Sequence, residues 1–125
     1  MPSQLPENTC VSERSRISVL HVDDDEYQLE VVKLFIEKLD DCMQVKTEHS
    51  AIRALGEIDH GRSDCIVLDF VMPEMNGLEL AKRIRAKHDV PVILYTGQGS
   101  EEVAEEAFAI GVDDYIRKEL SPSHT

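Results

Sequence analysis

Cys65-Ile66-Val67-Leu68-Asp69-Phe70-Val71-Met72-Pro73-Glu74-Met75-Asn76-Gly77 is the stretch on which the reading of this chain turns. Its four leading apolar residues read as a strand buried on both faces, and Pro73 and Gly77 mark the loop after it. Asp69 therefore stands at the carboxyl end of a central strand, the rim where open α/β sheets place their ligands. A second acidic cluster, Asp23-Asp24-Asp25, ends another apolar run, Ile17 to Val22. One acid in such a place can be a helix N-cap. Two sets at the ends of two buried strands point to a cation site, with one carboxylate left free to react.

Working outward, strands and helices alternate. Ile17 to Val22 is a strand, and Glu26 to Leu39 a helix with Leu29, Val32, Ile36 and Leu39 at helical spacing, widened by Val31 and Phe35. Gln44 to Thr47 is a weaker strand near an edge. A helix carrying Ala51, Ala54, Leu55 and Ile58 follows, capped by Ser50. Asn76 or Gly77 opens the next helix, with Leu78, Ala81 and Ile84 facing inward. Its C-terminal half holds Lys82, Arg83, Arg85 and Lys87, the end where the helix dipole favours cations. Val92 to Tyr95 is a strongly apolar strand. Ser100 caps a helix in which Val103, Ala107 and Ile110 face inward and which Gly111 terminates. Asp114 to Arg117 is the last strand. Connections too long for hairpins predict an α/β fold: a doubly wound five-stranded parallel sheet, flavodoxin-like, in the order 2-1-3-4-5.

Size and charge narrow the function. With 125 residues the chain is one domain, and its 42% hydrophobic and 30% charged residues suit a folded core with a solvated surface. The net charge of −12 argues against direct contact with nucleic acid, which needs clustered Lys or Arg, and suits a divalent cation or a basic partner. No stretch approaches the roughly 20 apolar residues of a membrane span, and the N-terminus lacks a signal peptide. Cys10, Cys42 and Cys65 show no metal-binding spacing. The expected setting is cytoplasmic. Residues 1–15, with two prolines, read as a flexible N-terminal tail. The domain proper, residues 16–125, is expected to lack most of its final helix, because only Ser-Pro-Ser-His-Thr follows Leu120. The sheet face left open would be covered by a further module of a longer protein or by self-association into a homodimer.

The polar residues at the strand ends make a chemical set. Asp23, Asp24 and Asp25 end the first strand and Asp69 the third; Thr96 and Lys118 end the fourth and fifth. Oxygen ligands without histidine or thiolate suit Mg2+. A hydroxyl and a compact ammonium beside it suit phosphoryl oxygens. With no histidine base and no activated serine in the set, a carboxylate is the available nucleophile, and its product is an aspartyl phosphate. Each residue has a duller reading: Asp25 as the N-cap of the next helix, Thr96 as a structural strand end, Lys118 as a solvated charge. Four strand ends supplying four parts of one site weigh against those readings taken together.

The segments V-D-D-D at 22–25, L-D-F-V-M-P-E-M-N-G at 68–77, Y-T-G at 95–97 and G-V-D-D-Y-I-R-K at 111–118 resemble the receiver domain of two-component response regulators. The likeness runs from about Ile17 to Leu120. It implies that Asp69 is the phosphoacceptor, taking a phosphoryl group from a phosphohistidine on a sensor histidine kinase or phosphotransfer domain. It also implies Mg2+ held by Asp23, Asp24, Asp69 and the Val71 carbonyl, phosphoryl binding by Thr96 and Lys118, and Tyr115 as the aromatic that turns inward as Thr96 moves. Glu119 stands where the family usually has proline, often with a cis peptide, and Gly97 where Ala is common. The run from Thr96 to Ala104 is similar to receivers of archaeal multidomain sensor proteins, in which a C-terminal PAS, kinase or other output module follows. Two alternatives remain open. In a haloacid-dehalogenase-like phosphohydrolase, Asp23 would be the nucleophile and Asp25 the acid/base. In a phosphorylation-independent interaction module, the pocket would be retained without being used.

Overall fold

The computed structural model describes residues 16–118. The elements are β1 (Ile17–Val22), α1 (Glu26–Leu39), β2 (Met43–Glu48), α2 (Ala51–His60), β3 (Cys65–Leu68), α3 (Gly77–Lys87), β4 (Val92–Thr96), α4 (Glu101–Ile110) and β5 (Asp114–Arg117). Each helix starts where a short polar side chain satisfies an orphan backbone donor. Asp25 accepts from the amides of Tyr27 and Gln28, Ser50 from Arg53, Asn76 from Glu79 and Ser100 from Val103. Val103 at the third helical position means that α4 has a cap but no reciprocal capping box. Gly111 ends α4 at φ 114°, a left-handed conformation that side chains rarely adopt.

All strand pairs are parallel and lie in the order β2-β1-β3-β4-β5, as the alternation predicts. One face of the sheet presents Leu20, Val22, Ile66, Leu68, Val92 and Leu94 to Ala51, Ala54, Ile58, Leu78, Ala81, Ile84 and Ala107 of α2, α3 and α4. Burying each of the larger side chains stabilises the fold by roughly 1.5–3 kcal/mol. Leu80, which the predicted inward face of α3 omits, is also fully buried. On the opposite face Cys65, Val67, Ile93 and Tyr95 are only half-buried, and Ile116 is exposed.

Two expectations need correction. The second strand is longer than Gln44 to Thr47, since Met43 and Glu48 also pair with β1. The stripe on α1 is narrower than its spacing suggests: Leu29 is buried and Val32 and Ile36 are half-buried, while Val31, Leu34, Phe35 and Leu39 are exposed. The reason is that α1 packs mainly along the β2 edge. There Lys33 donates to the Val45 carbonyl at 2.7 Å and Glu37 accepts from the Val45 amide at 2.7 Å. This pair satisfies outward backbone groups that an edge strand would otherwise offer to another chain. The tail at 1–15, the segment assigned to a truncated last helix and the Lys118–Glu119 peptide lie outside the described residues.

Candidate functional site

The parallel register sets the site. Val22 of β1 pairs with Leu68 of β3, so the residues after them, Asp23 and Asp69, leave adjacent strands side by side. The Asp69 amide donates to the Val22 carbonyl at 3.0 Å, and the Asp23 amide to the Glu48 carbonyl at 3.1 Å. Backbone bonds thus hold both carboxylates at the rim. Asp23 and Asp69 are buried and Asp24 is exposed; each offers an oxygen within 4.8 Å of the others. The set contains only oxygens, which fits a hard divalent cation that keeps part of its water shell.

Gly77 fixes the floor of the site. A Cβ there would overlap the Asp69 carbonyl oxygen and stand 3.0 Å from Leu94 Cδ1, so the start of α3 can lie under Asp69 only without a side chain. The cleft above has a volume of about 470 Å³ and is lined by Asp23, Asp24, Asp25, Gln28, Asp69, Val71, Gly97, Gln98 and Lys118.

Lys118 reaches across from the end of β5. Its Nζ lies 2.8 Å from Asp23 Oδ2, 3.8 Å from Asp69 Oδ1 and 5.4 Å from the centroid of the Tyr95 ring. Asp23 uses its other oxygen to accept from the Asp25 amide at 3.0 Å. Asp69 Oδ1 accepts from the Phe70 amide at 2.9 Å. Burial raises the Asp69 pKa above the ordinary 3.8; a hydrogen bond from Thr96 opposes the shift and the Asp23 charge adds to it. Thr96 is fully buried, its hydroxyl accepting from the Gln98 amide at 3.1 Å. One layer below, His21 is buried with neither ring nitrogen hydrogen-bonded among the described residues. Burial lowers its pKa to about 4, the Asp23 charge opposing and the Lys118 charge reinforcing the shift. It therefore adds no positive charge to the site near neutrality.

The structure brings together Asp23, Asp24, Asp69, Thr96 and Lys118 as the strand ends predict. Val71 stands at the mouth, 48% exposed. Tyr115 is half-buried with its hydroxyl against the β4–α4 loop. Asp25 caps α1 through Oδ1, which accepts from the Tyr27 and Gln28 amides, and it also borders the cleft. Gln28 also lines the cleft, a role that its residue type and position on α1 do not signal by themselves.

The profile of the response regulator receiver domain matches residues 19–125. The chain belongs to that family. It is 31% identical over 104 residues to the transcriptional regulatory protein SrrA of Staphylococcus aureus, a match covering 83% of this chain and 42% of SrrA. The chain thus spans less than half the length of the curated relatives it matches. The receiver domain of Francisella response regulator 1452 superposes with a TM-score of 0.76 at 29% identity, over 87% of this chain and 89% of that one. The BeF3-activated receiver domain of Klebsiella pneumoniae RstA gives a TM-score of 0.77 at 25% identity, over 86% and 90%. A receiver domain is a signalling module of two-component systems rather than a metabolic enzyme. Among the described residues no helix is long and apolar enough to cross a membrane.

Proposed function

We propose that this receiver domain is a phosphoacceptor switch in which Asp69 takes a phosphoryl group from a phosphohistidine. The observation that carries the reading is the convergence of Asp23, Asp24 and Asp69 on one small volume, with the Lys118 ammonium already between Asp23 and Asp69. Asp23, Asp24, Asp69 and the Val71 carbonyl would hold Mg2+, which when bound neutralises phosphoryl oxygens. A carboxylate oxygen of Asp69 attacks phosphorus, the O–P bond forms, the N–P bond of the donor breaks and the imidazole leaves with its electron pair. Thr96 donates its hydroxyl and Lys118 its ammonium to the transferred group. Thr96 then draws Tyr115 with it and changes the surface formed by α4 and β5, shifting a two-state equilibrium.

The donor is a sensor histidine kinase or a phosphotransfer domain, and the setting is cytoplasmic. An output, PAS or kinase module, or a second copy of the chain, is the partner in this reading. Direct contact with nucleic acid is not part of this reading. Activation of the RstA relative by BeF3, a phosphoryl mimic, supports the chemistry. Treatment with acetyl phosphate and Mg2+ followed by intact-mass measurement tests it: one phosphoryl group on the native chain and none on Asp69→Asn is the expected result. Labelling that persists in the variant overturns the assignment, and a native chain that never labels favours a phosphorylation-independent interaction module.

A further inference from the structure

Gly99 lies in the loop between β4 and α4, immediately before the Ser100 cap. Its backbone does not explain the glycine, because Gly111 is the sole described glycine with positive φ. Space explains it. A Cβ on Gly99 would overlap the Tyr115 hydroxyl, lie 2.7 Å from Tyr115 Cζ and 3.2 Å from Thr96 Cγ2. The Tyr115 ring packs on the core, and its hydroxyl is buried without a hydrogen-bond partner among the described residues. A phenol normally keeps its hydroxyl paired when buried. The inward ring is therefore held by packing alone, in a gap that any side chain at residue 99 would fill.

We propose that Gly99 is a positioning residue: its bare Cα leaves the seat that the inward Tyr115 ring occupies, beside Thr96. Thr96 Cγ2 borders the same gap, so a side chain at 99 presses on both residues at once. The hydroxyl is the far end of a side chain that can swing, so the cheapest relief is for Tyr115 to turn out toward solvent. The effect on phosphoryl binding rests on the phosphoacceptor reading above; the effect on Tyr115 does not.

The chain has three tyrosines, Tyr27, Tyr95 and Tyr115, so fluorotyrosine labelling gives three fluorine NMR signals, with Tyr115 assigned by Tyr115→Phe. In the unmodified, metal-free chain the Tyr115 signal should be shielded from a soluble paramagnetic agent, and in Gly99→Ala it should broaden like that of exposed Tyr27. A Tyr115 signal equally shielded or equally broadened in the two chains overturns the proposal. If Gly99→Ala does not fold by circular dichroism, the native chain decides: a broadened Tyr115 signal overturns the seat and a shielded one upholds it. Beryllofluoride with Mg2+ is the second probe. Gly99→Ala should weaken its binding severalfold in the native background and leave it unchanged in a Tyr115→Ala background; equal weakening in both backgrounds overturns the coupling. A native chain that binds no beryllofluoride defeats the phosphoacceptor reading and leaves the shielding comparison to judge the seat.

Discussion

Lys118 Nζ and Asp23 Oδ2 are 2.8 Å apart, although 95 residues separate them in sequence and their strands are not neighbours in the sheet. The lysine spans the rim above β3 and β4 to reach the buried carboxylate on β1. In the absence of a cation it is the positive charge nearest to the acids, so it compensates Asp23 and, from 3.8 Å, Asp69. Asp23, Asp24 and Asp69 would hold Mg2+ beside this ammonium, where the two cations would share the acids' charge.

Lys118→Ala should accordingly lower stability in EDTA by roughly 1–3 kcal/mol, the cost of leaving a buried polar group without its partner. Mg2+ should recover more stability in this variant than in the native chain, while labelling by acetyl phosphate slows. Urea unfolding with EDTA and with Mg2+ measures the first effect. Equal midpoints for native and variant chains in EDTA would show that the pair contributes nothing.

Asp69→Asn should abolish labelling and also stabilise the metal-free fold near neutral pH. The native Asp69 pKa is raised above 3.8, chiefly by burial, so the folded state binds the proton more tightly than the unfolded one. Stability of the native chain then falls as pH rises from 3.8 through the raised value, and the ionised carboxylate is a liability above it. The amide removes this term. The advantage of the variant should be greatest above the raised value and shrink as pH drops through it toward 3.8. Thermal melts of both chains across that range provide the check, and a variant less stable than native at pH 7 in EDTA contradicts it.

Much of this was legible in the sequence because the signals were local. The apolar run Cys65 to Leu68 ending in Asp69 identifies a buried strand and its rim, and the alternation of elements leaves few topologies. Asp25 and Ser50 were readable as caps for the same reason. What escaped depends on distance. The exposure of Phe35 and Leu39 follows from where α1 sits along β2, which helical periodicity does not encode. Gly77 beneath Asp69 and Gly99 beside Tyr115 are explained by atoms from other segments. Arg85 is another case, since its basic neighbours suggested only a dipole effect.

Arg85 bonds the carbonyls of His88, Val90 and Gly111 and the Asp113 carboxylate, at 2.7–3.1 Å. One guanidinium thus ties the end of α3 to the turn after α4 and the approach to β5. Arg85→Ala should cost roughly 2–3 kcal/mol, and Arg85→Lys should recover little of it because an ammonium cannot reproduce the planar fork. Since Val112 is buried beside this turn, the loss should loosen β5, and amide exchange at Tyr115 and Ile116 should accelerate. Unaltered exchange there would mean that the clamp is redundant.

Mg2+ should bind weakly to the free chain, because Asp24 is exposed and Lys118 already competes for Asp23. A concentration one hundred times the dissociation constant should stabilise the fold by about 2.7 kcal/mol. Beryllofluoride should raise the affinity, since the two ligands share Asp69 and linkage is reciprocal. Calorimetric titration of native and Asp24→Asn/Asp69→Asn chains tests the assignment. It fails if the double variant binds Mg2+ as well as the native protein.

The acyl phosphate on Asp69 should be long-lived. Hydrolysis needs a water held in line with phosphorus, opposite the Asp69 oxygen, and two side chains of the cleft border that approach: Val71 and Gln98. Val71 is apolar and 48% exposed at the mouth, so it shields the path and offers no hydrogen bond to a water. Gln98 can orient a water but cannot take its proton. Val71→Asn would add a carboxamide where the water must sit without disturbing the buried residues. If that contributes one hydrogen bond of about 0.5–1.5 kcal/mol at the transition state, dephosphorylation should accelerate roughly two- to twelvefold. The rate is read by phosphoryl loss from the purified, labelled chain in Mg2+ after removal of the donor. A rate in Val71→Asn equal to or below the native one would mean that water access is limited elsewhere, with the Gly97–Gln98 loop the next segment to vary.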